Sequence, residues 1–404
     1  MPSDSDPTRA RVCVSEIFLT ALKLGLTSFG GPVAHLGYFR EEYVARKRWL
    51  DERAYADLVA LAQFLPGPAS SQVGLGIGLI KGGLAGALAA WVGFTLPSAL
   101  LLFAFAYGVE AFGSALDSGW LHGLKVVAVA VVAQAVWAMA RALCPDRERF
   151  TLAVLATLLV LALPGAAGQV GAIAAGAVIG RLLFKAPAAD GDAAVDVPVS
   201  RAFAVANLVA FWVLLAGLPL AAALYPAQWL ALADSFYRSG ALVFGGGHVM
   251  LPLLQAEVVP PGWVSNDAFL AGYGAAQAIP GPLFTFTAYL GAIMGPEPNG
   301  WRGAVLCLTA IFLPSFLLVF GALPFWDRLR RMRSIQSALM GVNAAVVGLL
   351  LAALYHPVWT SAIATPGDFA LGLAAFALLA FWKVPPWLVV ALTAAGGGAL
   401  AAIA

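Results

Sequence analysis

Lys23 and Arg238 each stand six residues before a glycine turn, Phe29-Gly30-Gly31 in one case and Phe244-Gly245-Gly246 in the other. A cation beside backbone stripped of side chains is the chemistry of anion binding, because the charge attracts and the amides can come close to an oxygen. A second kind of break lies downstream of each. Ala62-Gln63-Phe64-Leu65-Pro66-Gly67-Pro68 returns as Ala276-Gln277-Ala278-Ile279-Pro280-Gly281-Pro282, 214 residues later. Proline on both sides of a glycine removes two donors and stops an undisturbed helix. A half-helix that starts at such a break presents unpaired amides and the positive end of its dipole.

The candidate substrate-binding residues follow from these breaks and from what aligns beside them. In the first half they are Lys23, Gly30, Gly31, Gln63, Gly67, Ser71 and Lys125. In the second half they are Arg238, Gly245, Gly246, Gly247, His248, Gln277, Gly281, Thr285 and Asn343. Gln63 aligns with Gln277, Ser71 with Thr285 and Lys125 with Asn343. Each has a plainer reading: Lys23 and Arg238 can snorkel to an interface, the hydroxyls can cap helices, and the breaks can merely allow close helix packing. His35 and His248 follow the glycine turns and read first as packed or hydrogen-bonding residues. Lys81 reads as a snorkelling end residue. Cys13, Cys144 and Cys307 are isolated and suggest neither a metal nor a disulfide. No cofactor, metal site or nucleic-acid partner is expected.

What must hold these residues is a membrane. Of 404 residues, 61% are hydrophobic and 11% charged, and the mean hydropathy is +0.87. That composition describes an all-α polytopic membrane protein. Residues 1–11 are polar and unlike a signal peptide. Residues 54–65 and 69–80, on the two sides of Pro66-Gly67-Pro68, each reach about 18 Å at 1.5 Å per residue, short of a core of roughly 30 Å. Full-length apolar segments follow near 84–108, 121–142, 149–163, 166–184 and 202–224, and 186–200 has the composition of a linker.

Beyond the linker the pattern restarts. Ala21–Gly31 aligns with Phe236–Gly246, Leu96-Pro97-Ser98 with Leu313-Pro314-Ser315, and Gly123 with Gly341, at offsets of 214 to 218. This is an internal duplication, with a first repeat over 1–185, a linker and connecting helix over 186–224, and a second repeat over 225–404. The loop before the first Pro-Gly-Pro is basic (Arg40, Arg46, Lys47, Arg48, Arg53), while its counterpart at 255–267 has no Lys or Arg. Conversely, 109–120 lacks them and its counterpart holds Arg328, Arg330, Arg331 and Arg333. Basic loops stay cytoplasmic, so the repeats are expected to be inverted. Parity then makes 54–80 a re-entrant helical hairpin, and 14–39 another provided that the N-terminus is cytoplasmic. Each repeat has two such hairpins and four spanning helices, with an extra transmembrane helix joining the repeats. The N-terminus is expected in the cytoplasm and the C-terminus outside.

The sequence resembles the chromate ion transporters in their long two-domain form. The resemblance rests on LTSFGGPVAHLGYF at 26–39 and QFLPGPASSQVGLGIG at 63–78, with FGGGHVMLPLL at 244–254, QAIPGPLFTFTAYLG at 277–291 and GVNAAVVGLLL at 341–351. It covers the chain after residue 12. It implies a bacterial inner-membrane protein that exports chromate, a tetrahedral dianion similar to sulfate, and so gives chromate resistance. The second copy departs from the first, with Gly247 where Pro32 stands and Phe284 where Ser70 stands.

An inside-negative potential alone expels a dianion, by about 4.6 kcal/mol per 100 mV. Export therefore needs no obligatory proton, although a proton or sulfate antiport stays open. A sulfate or other oxyanion transporter, or an anion channel, shares every feature above. A membrane enzyme would need a nucleophile, metal cluster or acid pair at depth, which the sequence lacks. Sulfate as a further substrate and a homodimer complete the expected partners, beside chromate and the lipid bilayer.

Overall fold

A computed structural model describes residues 11–112, 119–186 and 199–403. Most of the linker, 187–198, the loop centre 113–118 and the polar start 1–10 lie outside the described residues. All regular structure among the described residues is helical.

The chain opens with α1 (Val14–Thr27), a break, and α2 (Gly31–Phe39), which runs into a π-helical turn at Arg40–Arg46. Next come α3 (Glu52–Phe64) and α4 (Ala69–Phe112) around Pro66-Gly67-Pro68, then α5 (Gly119–Leu143), α6 (Arg147–Ala162) and α7 (Ala166–Leu183). After α8 (Arg201–Leu224), α9 (Gln228–Leu242) and α10 (Met250–Val258) flank the second glycine break, and α11 (Asn266–Ala276) and α12 (Phe286–Ile293) flank Pro280-Gly281-Pro282. The chain ends with α13 (Gly300–Ala322), the short α14 (Trp326–Arg330), α15 (Arg333–Ala353), the single turn α16 (Thr360–Ala362), α17 (Pro366–Ala380) and α18 (Pro386–Ile403).

Local chemistry sets these limits. Asp51 caps α3 by accepting from Ala54 N at 2.7 Å, and its aligned residue Ser265 caps α11 by accepting from Ala268 N at 3.2 Å. Each such cap contributes on the order of 1 kcal/mol. α4 would be about 66 Å long if straight, but it reverses at Gly83, where φ is +63°. A methyl on Gly78 would strike Gly86 O and Ala87 Cα, which a straight helix would hold about 12 Å away. The chain therefore folds back there, as the gap between 80 and 84 in the apolar pattern anticipates.

The Pro-Gly-Pro segments also reverse the chain. A methyl on Gly76 would meet Leu58 Cδ2 at 2.9 Å, so positions nine residues to either side of Gly67 face each other. Gly272 packs in the same way on the ring of Tyr289 around Gly281.

Three larger apolar cores and one small one (Ala99, Ala288, Ala304) result among the described residues. One joins α1–α4 with α9 and α13, a larger one joins α5–α7 with α9–α13 and α15, and a third joins α5, α11, α17 and α18. Small residues bring helices together. Gly176 and Gly180 on α7 pack against Gly341 on α15, and Gly397 on α18 packs against Gly119 and Gly123 on α5, the close approach that membrane helices favour. Six of the described helices are long and apolar enough to span a bilayer. On α8 only Ala204 and Phe211 are buried, and Val209, Trp212, Val213 and Leu220 point outward. An outward face of that kind suits hydrocarbon and not water. This is a multi-pass membrane protein.

Candidate functional site

The cations at the bases of the glycine hairpins have partners that come from the far arm of the same hairpin. Lys23 Nζ donates to Glu42 Oε2 at 2.6 Å, and Arg238 Nη2 donates to Glu257 Oε2 at 2.9 Å, both across nineteen residues. Arg46 adds to Glu42 at 3.4 Å, and Asp234 adds to Arg238 at 2.8 Å. Ser235 Oγ donates to Glu257 at 2.8 Å. Glu42 is buried and Glu257 partly buried, with side chains only 9% and 12% exposed. A buried carboxylate without a cation is costly, so Lys23 and Arg238 are held as ion pairs and are not bare positive charges.

The breaks themselves interlock between the halves. Gly67 N donates to Val243 O at 2.7 Å, and Gly281 N donates to Ser28 O at 2.9 Å. Ser28 and Val243 are aligned residues, so each Pro-Gly-Pro glycine hydrogen-bonds the glycine break of the opposite half. The same exchange recurs in side chains. A Cβ on Gly67 would lie 2.5 Å from Ser315 Oγ, and one on Gly281 would lie 2.8 Å from Ser98 Oγ. Both glycines have positive φ, +123° and +96°. Where the two halves meet, a methyl on Gly247 would reach Pro32 Cγ at 3.9 Å, and these are aligned positions as well. The amides of Gly67 and Gly281, expected free for a ligand, are therefore spent on carbonyls of the other half.

Polar groups gather on one side of this junction. Ser28, His35, Ser70, Ser71, Gln72, Thr95 and Ser98 are all buried. His35 Nδ1 lies 3.3 Å from Ser70 Oγ, and Gln72 Nε2 donates to Pro66 O at 2.6 Å. Ser28 Oγ, Ser71 Oγ, Thr95 Oγ1 and Gln72 Oε1 have no hydrogen-bond partner among the described residues. The second half carries Val243, Met250, Phe284 and Phe312 where the first has Ser28, His35, Ser70 and Thr95. An unmade hydrogen bond on a buried hydroxyl costs free energy, and several together mark a place built for something other than packing.

The remaining candidates scatter. Gln63 is exposed, and Gln277 Nε2 donates to Tyr273 O at 3.3 Å. Thr285 Oγ1 donates to Pro282 O at 2.7 Å, which is a turn contact. His248 Nδ1 and Tyr273 OH are 2.6 Å apart. Lys125 Nζ donates to Asp267 Oδ1 at 3.0 Å, and its aligned residue Asn343 is half-buried on α15. Gly30, Gly31, Gly245 and Gly246 all have positive φ, as turns free of side chains require. Lys81 does not snorkel. It is buried and engaged, with the N-terminal stretch laid over it by a bond from Val12 N to Lys81 O of 2.9 Å. Among the described residues no cluster of His, Cys, Asp or Glu is placed to hold a metal ion.

Sequence reasoning passed over Ser28, Gln72, Thr95, Ser98 and Ser315. The repeated Leu-Pro-Ser was a signal for the last two, since a serine after proline inside an apolar span is kept for a contact or a ligand. It also passed over Asp57–Arg330 at 3.4 Å, which ties α3 to α14.

The family model for chromate transporters matches residues 15–181 and 230–399. The chain is 31% identical over 395 residues to the chromate transport protein of Pseudomonas aeruginosa, covering 94% of this chain and 90% of that protein. It is 25% identical over 387 residues to the chromate transport protein of Cupriavidus metallidurans, covering 93% and 90%. The uncharacterized transporter YwrA of Bacillus subtilis is 31% identical over 173 residues, which are 40% of this chain and 92% of that protein. No solved structure matches the chain. With the family model covering both halves and full-length relatives aligned from end to end, the chain belongs to the chromate transporter family.

Proposed function

We propose that this protein exports chromate through the inner membrane of a bacterium and so confers chromate resistance, with the inside-negative potential favouring exit of the dianion. Its halves, 1–185 and 225–404, are inverted repeats of two re-entrant hairpins and four spans, joined by residues 186–224. The observation that carries this reading is the repeated pair Lys23–Glu42 and Arg238–Glu257, built at one spacing on either side of the interlocked breaks. A dianion that reaches the junction from either side passes a cation already held in place by a carboxylate it can replace. The candidate residues at and beside the breaks form the pathway, and Ser28, Ser71 and Thr95 supply hydroxyl donors at its centre.

Several contacts support the inversion. Arg330 meets Asp57, a contact that fits the two basic loops lying on one side. Lys125–Asp267 and His122–Asp368 join elements that the inverted topology assigns to the other side. The two family-model matches and the half-length relative support a duplicated unit.

Purified protein in liposomes, loaded with labelled chromate, tests the reading. Chromate loss should quicken when an inside-negative potential is imposed, and unlabelled chromate should compete. Flux that ignores the potential and follows a pH gradient would replace uniport by proton coupling. Flux of sulfate without chromate would replace the substrate.

A further inference from the structure

The hairpins that carry Lys23 and Arg238 are alike in sequence and unlike in surroundings. Around Arg238 the first turn of α7 closes in. Gln169 and Val170 share a void of about 10 Å³ with Arg238, Leu242 and Glu257, room for a single water at most. The break beside it is covered too, since a methyl on Gly245 would touch Leu143, Met139 and Val346 at 3.1 to 3.2 Å. Around Lys23 nothing equivalent closes. A methyl on Gly31 would find no atom within 4 Å, and one on Gly30 would meet only Ala34. Val33 is 86% exposed, and the Lys23 side chain is 47% exposed against 26% for Arg238.

The element that covers Arg238 has a counterpart in the other half. Gly180 on α7 packs on Ser337 O and Gly341, and Gly397 on α18 packs on Gly119 O and Gly123. Gly341 aligns with Gly123, so Gly180 corresponds to Gly397, and at the same offset Val170 corresponds to Trp387. Leu242 likewise corresponds to Thr27. Buried Gln169 closes on the void it lines with Leu242, and Val170 beside it is 39% exposed, whereas Thr27 is exposed and Trp387 is 45% exposed.

We infer that the structure is closed on the Arg238 side and open on the Lys23 side, and that the first turns of α7 and α18 are the two gates. The inference rests on the inverted-repeat reading above. In the opposite state the first turn of α18, with Trp387, takes the place beside Thr27 and Lys23 that the first turn of α7, with Gln169 and Val170, holds beside Leu242 and Arg238, and α7 withdraws. The closed contact is built to break. Gln169 Oε1 and Arg238 Nε are buried there without partners among the described residues, so opening to water satisfies both and offsets the packing lost.

Cysteine pairs in a background lacking Cys13, Cys144 and Cys307 test it. Val170→Cys with Leu242→Cys should cross-link readily in the resting protein and cut chromate efflux at least tenfold until reduced. Thr27→Cys with Trp387→Cys should cross-link only during turnover. Single Thr27→Cys should react with an impermeant thiol reagent from its own side at least tenfold faster than Leu242→Cys from the other. Equal reactivity of the two positions, or full efflux through the Val170–Leu242 disulfide, would overturn the gates. The labelling needs no chromate, so asymmetric labelling without chromate efflux would retire the substrate and keep the gates. Labelling of both positions from one face would retire the inversion.

Discussion

The amide of Gly67 donates to the carbonyl of Val243 at 2.7 Å, and the mirror contact from Gly281 to Ser28 measures 2.9 Å. Each glycine also abuts the serine of the opposite half's Leu-Pro-Ser segment. The breaks in one half thus complete the breaks in the other.

Gly67→Ala and Gly281→Ala should each lower stability by roughly 1–3 kcal/mol from backbone strain at positive φ, with more lost to the clash. Leucine at either position should abolish transport. Thermal melting in detergent beside efflux assays checks both. Ser315→Ala should return part of the stability lost in Gly67→Ala and none of that lost in Gly281→Ala, because only Gly67 faces Ser315.

Arg238→Gln leaves Glu257 and Asp234 without their cation in a largely buried site, a change that costs roughly 3–5 kcal/mol. Lys23→Gln leaves buried Glu42 with a second cation, Arg46 at 3.4 Å, so its carboxylate stays paired and the loss is smaller. Arg238→Gln should therefore destabilise far more than Lys23→Gln, whereas both should raise the apparent KM for chromate about tenfold. Equal melting temperatures for the two variants would count against this account, as would an unchanged KM in both.

Ser71→Ala removes a buried hydroxyl that has no partner, so melting should stay level or rise slightly. If that hydroxyl donates to the oxyanion, the KM for chromate should rise several-fold at equal expression. A concentration series in matched membranes separates the two effects.

Cysteines placed in 255–267 should react with impermeant reagents from outside the cell, and cysteines in 40–53 only after the inner face is exposed. Reaction of both from one side would end the inverted topology.

Much of this was legible beforehand because helix breaks are written in proline and glycine. The offsets of 214 to 218, the reversals at Gly67 and Gly281 and the aligned cations all follow from residue type and spacing. The partners did not follow so directly. Glu42 and Glu257 align and flank the hairpins, but only the fold shows that nineteen residues bring them back onto Lys23 and Arg238. The bond from Gly67 to Val243 pairs segments from different halves, and local sequence carries no signal for that. The sequence places Lys81 near a helix end, where snorkelling is expected, and carries no sign of the reversal at Gly83 or of the cover from Val12. The one-sided polar cluster is visible in the alignment of Ser28, Ser70 and Thr95 with Val243, Phe284 and Phe312, once it is known that these faces meet.

The exchange of contacts between the Pro-Gly-Pro glycines and the opposite breaks also sets the order of biogenesis. When the first half leaves the ribosome, the acceptor for Gly67, Val243, has not yet been made, and the donor for Ser28 is more distant still. The first-half breaks must wait with the Gly67 amide and the Ser28 carbonyl unpaired, a costly condition away from water. Assembly is therefore completed late, by contacts of long sequence separation that form slowly. A half made alone would lack the carbonyl or amide that the other half supplies to its break.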